Sequence, residues 1–385
     1  MHVMVVPSWY SSKENPVHGS FFKEQFKALQ DSQVKVSVAY NEIWPITQLK
    51  KHIFDTKKIS FTIEDGLNTY RYKNFNFLPK NKNMFKIFNK RMEKLYLEIV
   101  NKEGKVDIIH AHSAFFGGIS ACYVAKKYNI PFVLTEHSSL KYAKYVKKSY
   151  IEYIIDTYNK ADKLIAVGNG LKEEMENYTK NPIVVINNII DFSVFNDNFV
   201  SSTWKNDTIN LFSLSYLVEE KGMDRLIEAF NEAFKGKNIR LTIGGDGPLK
   251  PKLEEMTRKY NLENQVKFLG ALSRQEVARE MGKCDGFVLA SEHETFGVVY
   301  VEALSMGKPI LGTENGGASD IINNRNGIIV KNKDHNALVK GLKDFTKSLN
   351  TFDKKLIREE CLKNYSAEVI VNKIKEIYKQ ICKWN

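Results

Sequence analysis

Apolar residues along this 385-residue chain fall into short β-branched runs separated by stretches with helical spacing. In the first half, the runs Val3–Val6, Val34–Ala39, Asp107–Ala111, Phe132–Thr135, Leu164–Val167 and Ile183–Ile186 predict strands. Amphipathic spacing between them, as in Phe21–Gln30 and Gly118–Tyr128, predicts helices. The text turns polar and patternless over Asn196–Asp207, NDNFVSSTWKND, which predicts a linker. The alternation then restarts with strand Ile209–Leu214, helix Gly222–Phe234, strand Arg240–Gly244, helix Leu249–Tyr260, strand Val266–Leu269, helix Arg274–Met281 and strand Gly286–Ala290. Such alternation predicts parallel α/β architecture, here two Rossmann-like domains, 1–200 and 201–365, facing a central cleft. A last helix, Ala367–Lys383, carries a core-facing stripe at Val371, Ile374, Ile377, Tyr378 and Ile381, and is expected to pack back toward the first domain.

Composition narrows the class. Hydrophobic residues at 43% and charged residues at 26% describe a globular chain. No apolar run approaches the roughly 20 residues that cross a bilayer, and MHVMVVPSWY reads as a first buried strand rather than a signal peptide. Cys122, Cys284, Cys361 and Cys382 are far apart with no C-x-x-C spacing, which points to a reducing, cytoplasmic setting without disulfides or zinc. The net charge of +12 and pI of 9.2 call for an anionic partner, whether nucleic acid, membrane surface or phosphorylated substrate. Basic residues concentrate in the first half. Lys80–Lys102 mixes lysines with Met84, Phe85, Ile87, Phe88, Leu95 and Tyr96, and Ser139–Ile154 interleaves lysines with tyrosines. Amphipathic helices of this kind suit an anionic membrane surface, or equally a solvated helix with a core face. A nucleic-acid partner is not expected, because no binding module is present and the lysines are dispersed.

Candidate chemistry lies in SEHETFGVVYVEALSMGKP, Ser291–Pro309. Strand Gly286–Ala290 ends just before it, and Val298–Met306 reads as a helix stopped by Gly307 and Pro309. The turn SEHETFG therefore leads from strand end to helix start, where free N–H groups and the helix dipole bind anions and Gly297 admits a phosphate. Glu294 sits on that turn. Glu302 lies one turn into the helix, where a carboxylate can accept hydrogen bonds from a vicinal diol. On spacing alone, both glutamates are equally well read as a dipole partner and a surface charge. Upstream, LTIGGDGPLKPKLEEM places Gly245 and Gly247 at another strand-to-helix turn, but Lys250 stands where G-x-G-x-x-G needs its third glycine. Lys221 and Gly222 occupy a third such turn.

The order K-G, G-D-G-P, V-x-F-L-G, S-x-x-E-x-F-G, E-A-x-x-x-G-x-P and G-G resembles the retaining glycosyltransferases of family four, which have the GT-B fold and an E-x7-E motif. VPSWYSSKENPVHGSFFKEQFKAL, DIIHAHS, PFVLTEHSS and VVINNIIDFSVF extend the resemblance over most of the chain. It implies an acceptor-binding first domain and a nucleotide-sugar-binding second one. Glu302 would hold the ribose hydroxyls, Glu294 the transferred sugar, and the Phe296–Gly297–Val298 backbone the diphosphate. Lys221 would neutralise the leaving group. Gly245 and Tyr216 would complete the donor side, Gly19 would approach the phosphates from the first domain, His137 would meet the donor sugar, and His112 would stand on the acceptor side. Catalysis would then rest on His137, Lys221 and Glu294. Retention in this family is attributed to front-face displacement, so Glu294 positions rather than attacks.

Two departures matter. Where the family usually has arginine ahead of K-G, this chain reads Ser215–Tyr216–Leu217, and Asp320 stands where glutamate is common. No D-x-D occurs, which fits a site with no cofactor and no metal ion. The resulting expectation is transfer from a nucleotide-sugar, first of all a UDP-sugar, to a glycan or polyprenyl-linked acceptor in surface polysaccharide synthesis. The enzyme would be cytoplasmic, peripheral on the inner face of the membrane. A nucleotide-sugar epimerase of the same fold and a basic nucleic-acid-binding protein are the alternatives.

Overall fold

The computed structural model describes residues 1–12, 19–52, 54, 59–79, 81–143, 146–196 and 208–382. All of the predicted linker except Asn196, the middle of the opening loop and Lys383 lie outside the described residues. Two units emerge, residues 1–189 with 367–385, and residues 190–366.

In the first unit the apolar runs become β1 (His2–Pro7), β2 (Lys35–Trp44), β3 (Ile59–Glu64), β4 (Leu67–Phe75), β5 (Ile108–His112), β6 (Phe132–Glu136), β7 (Lys163–Ala166) and β8 (Ile183–Val185). They form one sheet in the order β3-β4-β2-β1-β5-β6-β7-β8. Among the described residues only the β3–β4 pairing is antiparallel. Central β1 is buried along its whole length, as a parallel strand covered on both faces must be. The sheet order reverses between β1 and β5.

Three differences from the sequence reading concern this unit. The β3–β4 hairpin was not predicted, although Asp65 and Gly66 at its turn take φ of 50° and 84°, the double left-handed pattern of a tight hairpin. Ser139–Ile154 is helical only from Lys148, in the helix Lys148–Lys160. Along Met84–Glu103, of the apolar residues singled out only Ile87 is exposed, because the others face the core. The last helix, Ala367–Cys382, joins this unit: Ile370, Val371, Ile374, Ile377 and Tyr378 share a core cluster with Phe22, Phe26 and Leu29 of the helix Ser20–Asp31.

The second unit contains β9 (Ile209–Leu214), β10 (Ile239–Gly244), β11 (Val266–Gly270), β12 (Gly286–Leu289), β13 (Ile310–Thr313) and β14 (Gly327–Val330), all parallel, in the order β11-β10-β9-β12-β13-β14. This is the doubly wound order, whose reversal, between β9 and β12, is where such sheets hold ligands beyond their carboxyl ends. The unit begins at Ile190, whose N–H donates to the Tyr365 carbonyl, rather than at the predicted residue 201. Among the described residues no helix is long and apolar enough to cross a membrane.

Candidate active site

In the second unit, two strand-end turns meet at the reversal. β9 runs into a single turn, Glu219–Lys221, and then through Gly222 into the helix Met223–Phe234. Gly222 takes φ 62°, and a side chain there would collide with the Ala290 carbonyl just after β12, so the two turns are pressed together. The Glu292 N–H donates to the Glu220 carbonyl across the same seam. Into it project Lys221 and Glu294, with Nζ donating to Oε1 at 2.6 Å and side chains 24% and 13% exposed. Arg225 donates to Glu292 (2.5 Å) and to the Ala290 carbonyl (3.0 Å), and Lys333 approaches Glu292 from its other side at 2.7 Å.

The Ser291–Gly297 turn enters the helix Val298–Ser305 through Gly297, which caps it at φ 85° over the Tyr300 ring. A side chain at 297 would be strained by the backbone and blocked by that ring. The turn is fixed from behind, where the Gly317 N–H donates to the Glu294 carbonyl at 2.7 Å. The first N–H groups of a helix have no intrahelical acceptor, so this start, joined to the Lys221–Glu294 pair, can bind an anion bearing a polar group. Tyr216 is 64% exposed on the neighbouring β9 turn, which packs on the Gly245–Gly247 turn through the Leu217 N–H and the Asp246 carbonyl, at 2.9 Å.

Glu302 is not a surface charge. It is 2% exposed and accepts a hydrogen bond from Arg274 Nη1. The Arg274 guanidinium lies 4.9 Å from the centroid of the Phe195 ring. The sequence reading did not include Arg274. Its signal was available, since Arg274 opens the helix Arg274–Lys283, where the dipole disfavours a cation unless something else holds it.

In the first unit, Gly19 takes φ 74° and heads the helix Ser20–Asp31 beside the Trp9 carbonyl. His110 and His112 on β5 and His137 after β6 stack in the interior. His112 Nδ1 and His137 Nε2 are 3.1 Å apart, and His110 contacts Tyr378 Oη at 2.6 Å and Thr135 Oγ1 at 2.8 Å. Burial lowers His137 and His110 to about 3 and His112 well below its usual range, so all three are neutral. The Glu136 carboxylate, also unread from sequence, accepts from the N–H groups of Ala114, His137 and Ser138 and from the Tyr158 hydroxyl, fixing the turn that carries His137. Burial raises its pKa. His112 has no exposed surface and rests against Phe22 and Phe26. His112, expected on the acceptor side, stands here behind the His137 ring, within 3.1 Å of it.

With this geometry in hand, a family model described as "Glycosyl transferases group 1" matches residues 194–360, and one described as "Glycosyltransferase Family 4" matches residues 27–194. An uncharacterized glycosyltransferase of Methanocaldococcus jannaschii is 30% identical over 295 residues, covering 75% of this chain and 79% of that protein. The putative teichuronic acid biosynthesis glycosyltransferase TuaC of Bacillus subtilis is 24% identical over 355 residues, covering 89% and 88%. Among solved structures, Anabaena HepE in complex with UDP and glucose superposes with a TM-score of 0.75 at 17% identity, over 99% of this chain and all of that one, a likeness of fold.

Proposed function

The chain belongs to the glycosyltransferases of group 1 and family 4, and on that footing we propose that it moves a sugar from a UDP-sugar to a glycan or lipid-linked glycan acceptor of a surface polysaccharide. The observation that carries the donor side is the Lys221–Glu294 pair at the β9–β12 reversal, set beside the Gly297 helix start. Lys221 and the helix N–H groups take the diphosphate, Glu294 takes a sugar hydroxyl, and Glu302 takes the ribose. The TuaC relationship supports the polysaccharide role, and the HepE complex supports a UDP carrier.

Transfer proceeds with retention. The acceptor oxygen bonds to the anomeric carbon on the face that the diphosphate leaves. The C–O bond to the diphosphate breaks with its electron pair, and the acceptor proton passes to a leaving phosphate oxygen. Lys221 and the helix start stabilise the charge that develops, with no metal ion required. Tyr216, in the place where the family usually has arginine, leaves more of that task to Lys221. The enzyme works as a peripheral protein on the cytoplasmic face of the membrane.

The test is a donor screen by nucleotide release and mass spectrometry, with product stereochemistry read by NMR. Lys221→Ala and Glu294→Gln should each lose roughly 100-fold or more of transfer while unfolding at an unchanged temperature. Full activity in both variants would refute the assigned roles.

A further inference from the structure

The first unit contains a cavity of about 800 Å3 that the donor chemistry does not use. It opens beyond the carboxyl ends of β1 and β2 and beside the segment after β5, next to the reversal of this sheet. A pocket of this volume takes a molecule rather than a single group. Its walls are mainly Trp9, Tyr40, Ile43, Trp44, Phe115 and Phe116, and among the described residues no charged side chain lines it.

Backbone strain holds part of this wall. Phe115 and Phe116 lie in the π-turn Ala114–Gly118, and Phe116 takes φ 68°, ψ −76°, the rare and strained γ-turn geometry. Ser113 just before it has φ 63°. Two residues with Cβ atoms in left-handed backbone within four positions mark a segment kept for what it presents. Here it presents two aromatic rings, and Phe116 is only half-buried.

The surroundings indicate what fills the cavity. The apolar surface continues outward, with Ile46 42% exposed on the wall and Phe77 58% exposed between the lining residues Asn76 and Pro79. Lys50 and Lys51 are exposed on the helix Leu49–His52, directly after the lining residues Ile46 and Thr47. The net positive charge of the chain resides in this unit, which has 32 lysines and arginines against 20 aspartates and glutamates, whereas the other has 25 of each. The lining residues Ser8, Asn41, Thr47, Asn76 and Ser138 could meet hydroxyls, but an uncharged saccharide alone would gain nothing from the positive field.

We propose that this cavity seats the hydrocarbon of an amphiphilic acceptor whose acidic headgroup stays with the lysines at its rim, which makes the substrate an anionic lipid. The assignment deepens the transferase reading and rests on it. A prenyl phosphate and a glycerophospholipid share this chemistry, and separate probes distinguish them.

The full chain is titrated with farnesyl phosphate, dihexanoylphosphatidic acid, inorganic phosphate and maltose, with intrinsic fluorescence reporting on Trp9 and Trp44. UDP binding is measured in parallel. At least one amphiphile should bind tenfold or more tightly than phosphate or maltose, and the tighter of the two identifies the lipid class. Ile43→Asp should weaken that binding tenfold or more with UDP affinity unchanged. The surface variant Lys50→Glu/Lys51→Glu should weaken the acidic amphiphile but not uncharged farnesol. The proposal is overturned if UDP binds but neither amphiphile does, if maltose binds more tightly, or if Ile43→Asp leaves the amphiphile unaffected. Failure of the unmodified chain to bind UDP would instead count against the transferase reading beneath it.

Discussion

Glu302 and Arg274 form the pair whose chemistry is most constrained at the scale of single residues. A carboxylate 2% exposed in an apolar helix needs a partner, and the guanidinium supplies one from the start of another helix. Removing one member of a buried pair leaves the other charge uncompensated, a loss of about 3–5 kcal/mol when burial is complete. The carboxylate that Arg274→Ala leaves behind is only 3% exposed, so most of that loss falls on this variant, whereas the partly exposed Arg274 left by a Glu302 substitution can be solvated. Without Arg274, Glu302 is also no longer held toward the ribose it is proposed to bind. Arg274→Ala should raise KM for the nucleotide-sugar roughly tenfold (about 1.4 kcal/mol) with a smaller change in kcat, and Arg274→Lys should restore part of it. With a 2′-deoxyribose donor the penalty should shrink, since one of the two ribose hydroxyls proposed to donate to Glu302 is gone. An equal KM increase with both donors would assign Arg274 a merely structural role. The two acidic members of this site were legible because one motif holds them eight positions apart. Their basic partners were legible only in part. Lys221 announced itself beside Gly222, whereas Arg274 meets Glu302 across 28 positions and was visible only as a cation misplaced on a helix dipole.

Among the elements, most strands buried on both faces were readable as apolar runs, although β13, buried along its whole length, was not predicted. The β3–β4 hairpin was missed even though ISFTIE alternates apolar and polar residues; β3 lies at the sheet edge, and its apolar Phe61 and Ile63 are exposed rather than packed in a core. Its Asp65-Gly66 turn was the better signal. The same scale shows how the last helix is tied in, with Tyr378 reaching His110 on β5 and His112 passing the contact to His137. These histidines set a pH dependence. In the unfolded chain they bind protons near pH 6.5, while burial holds His110 and His137 to about 3 in the folded protein. Between those values the unfolded state binds more protons, so stability rises with pH across the window and is fully present above 6.5. Each histidine contributes a slope of at most about 1.4 kcal/mol per pH unit. Denaturant unfolding should show the protein markedly less stable at pH 5 than at pH 7, with a shallower dependence in His110→Asn. A flat profile between those pH values would mean that the three rings are solvated.

For the molecule as a whole, sequence alternation was enough for two α/β units but not for where they divide. The polar text begins at Asn196, six residues after the chain has joined the second unit, because Ile190 and Phe195 are apolar and pack there. Strand order, and hence the two reversals beside which the proposed sites lie, depends on pairings far apart in sequence that no local pattern records. The cavity of the first unit was hidden for the same reason, since its wall is assembled from residues after β1, at the end of β2, and after β4, β5 and β6. Charge was legible as a total and as a bias to the first half, and the structure makes its division between the units complete. The central claim is that the second unit holds a nucleotide diphosphate through Lys221, the Gly297 helix start and Glu302 without a metal ion. Calorimetric titration of UDP in EDTA tests it most directly. The unmodified protein should bind, and Glu302→Gln should bind tenfold or more weakly with its unfolding temperature retained. Equal affinity in the two proteins, or binding that disappears with the chelator, would contradict the account.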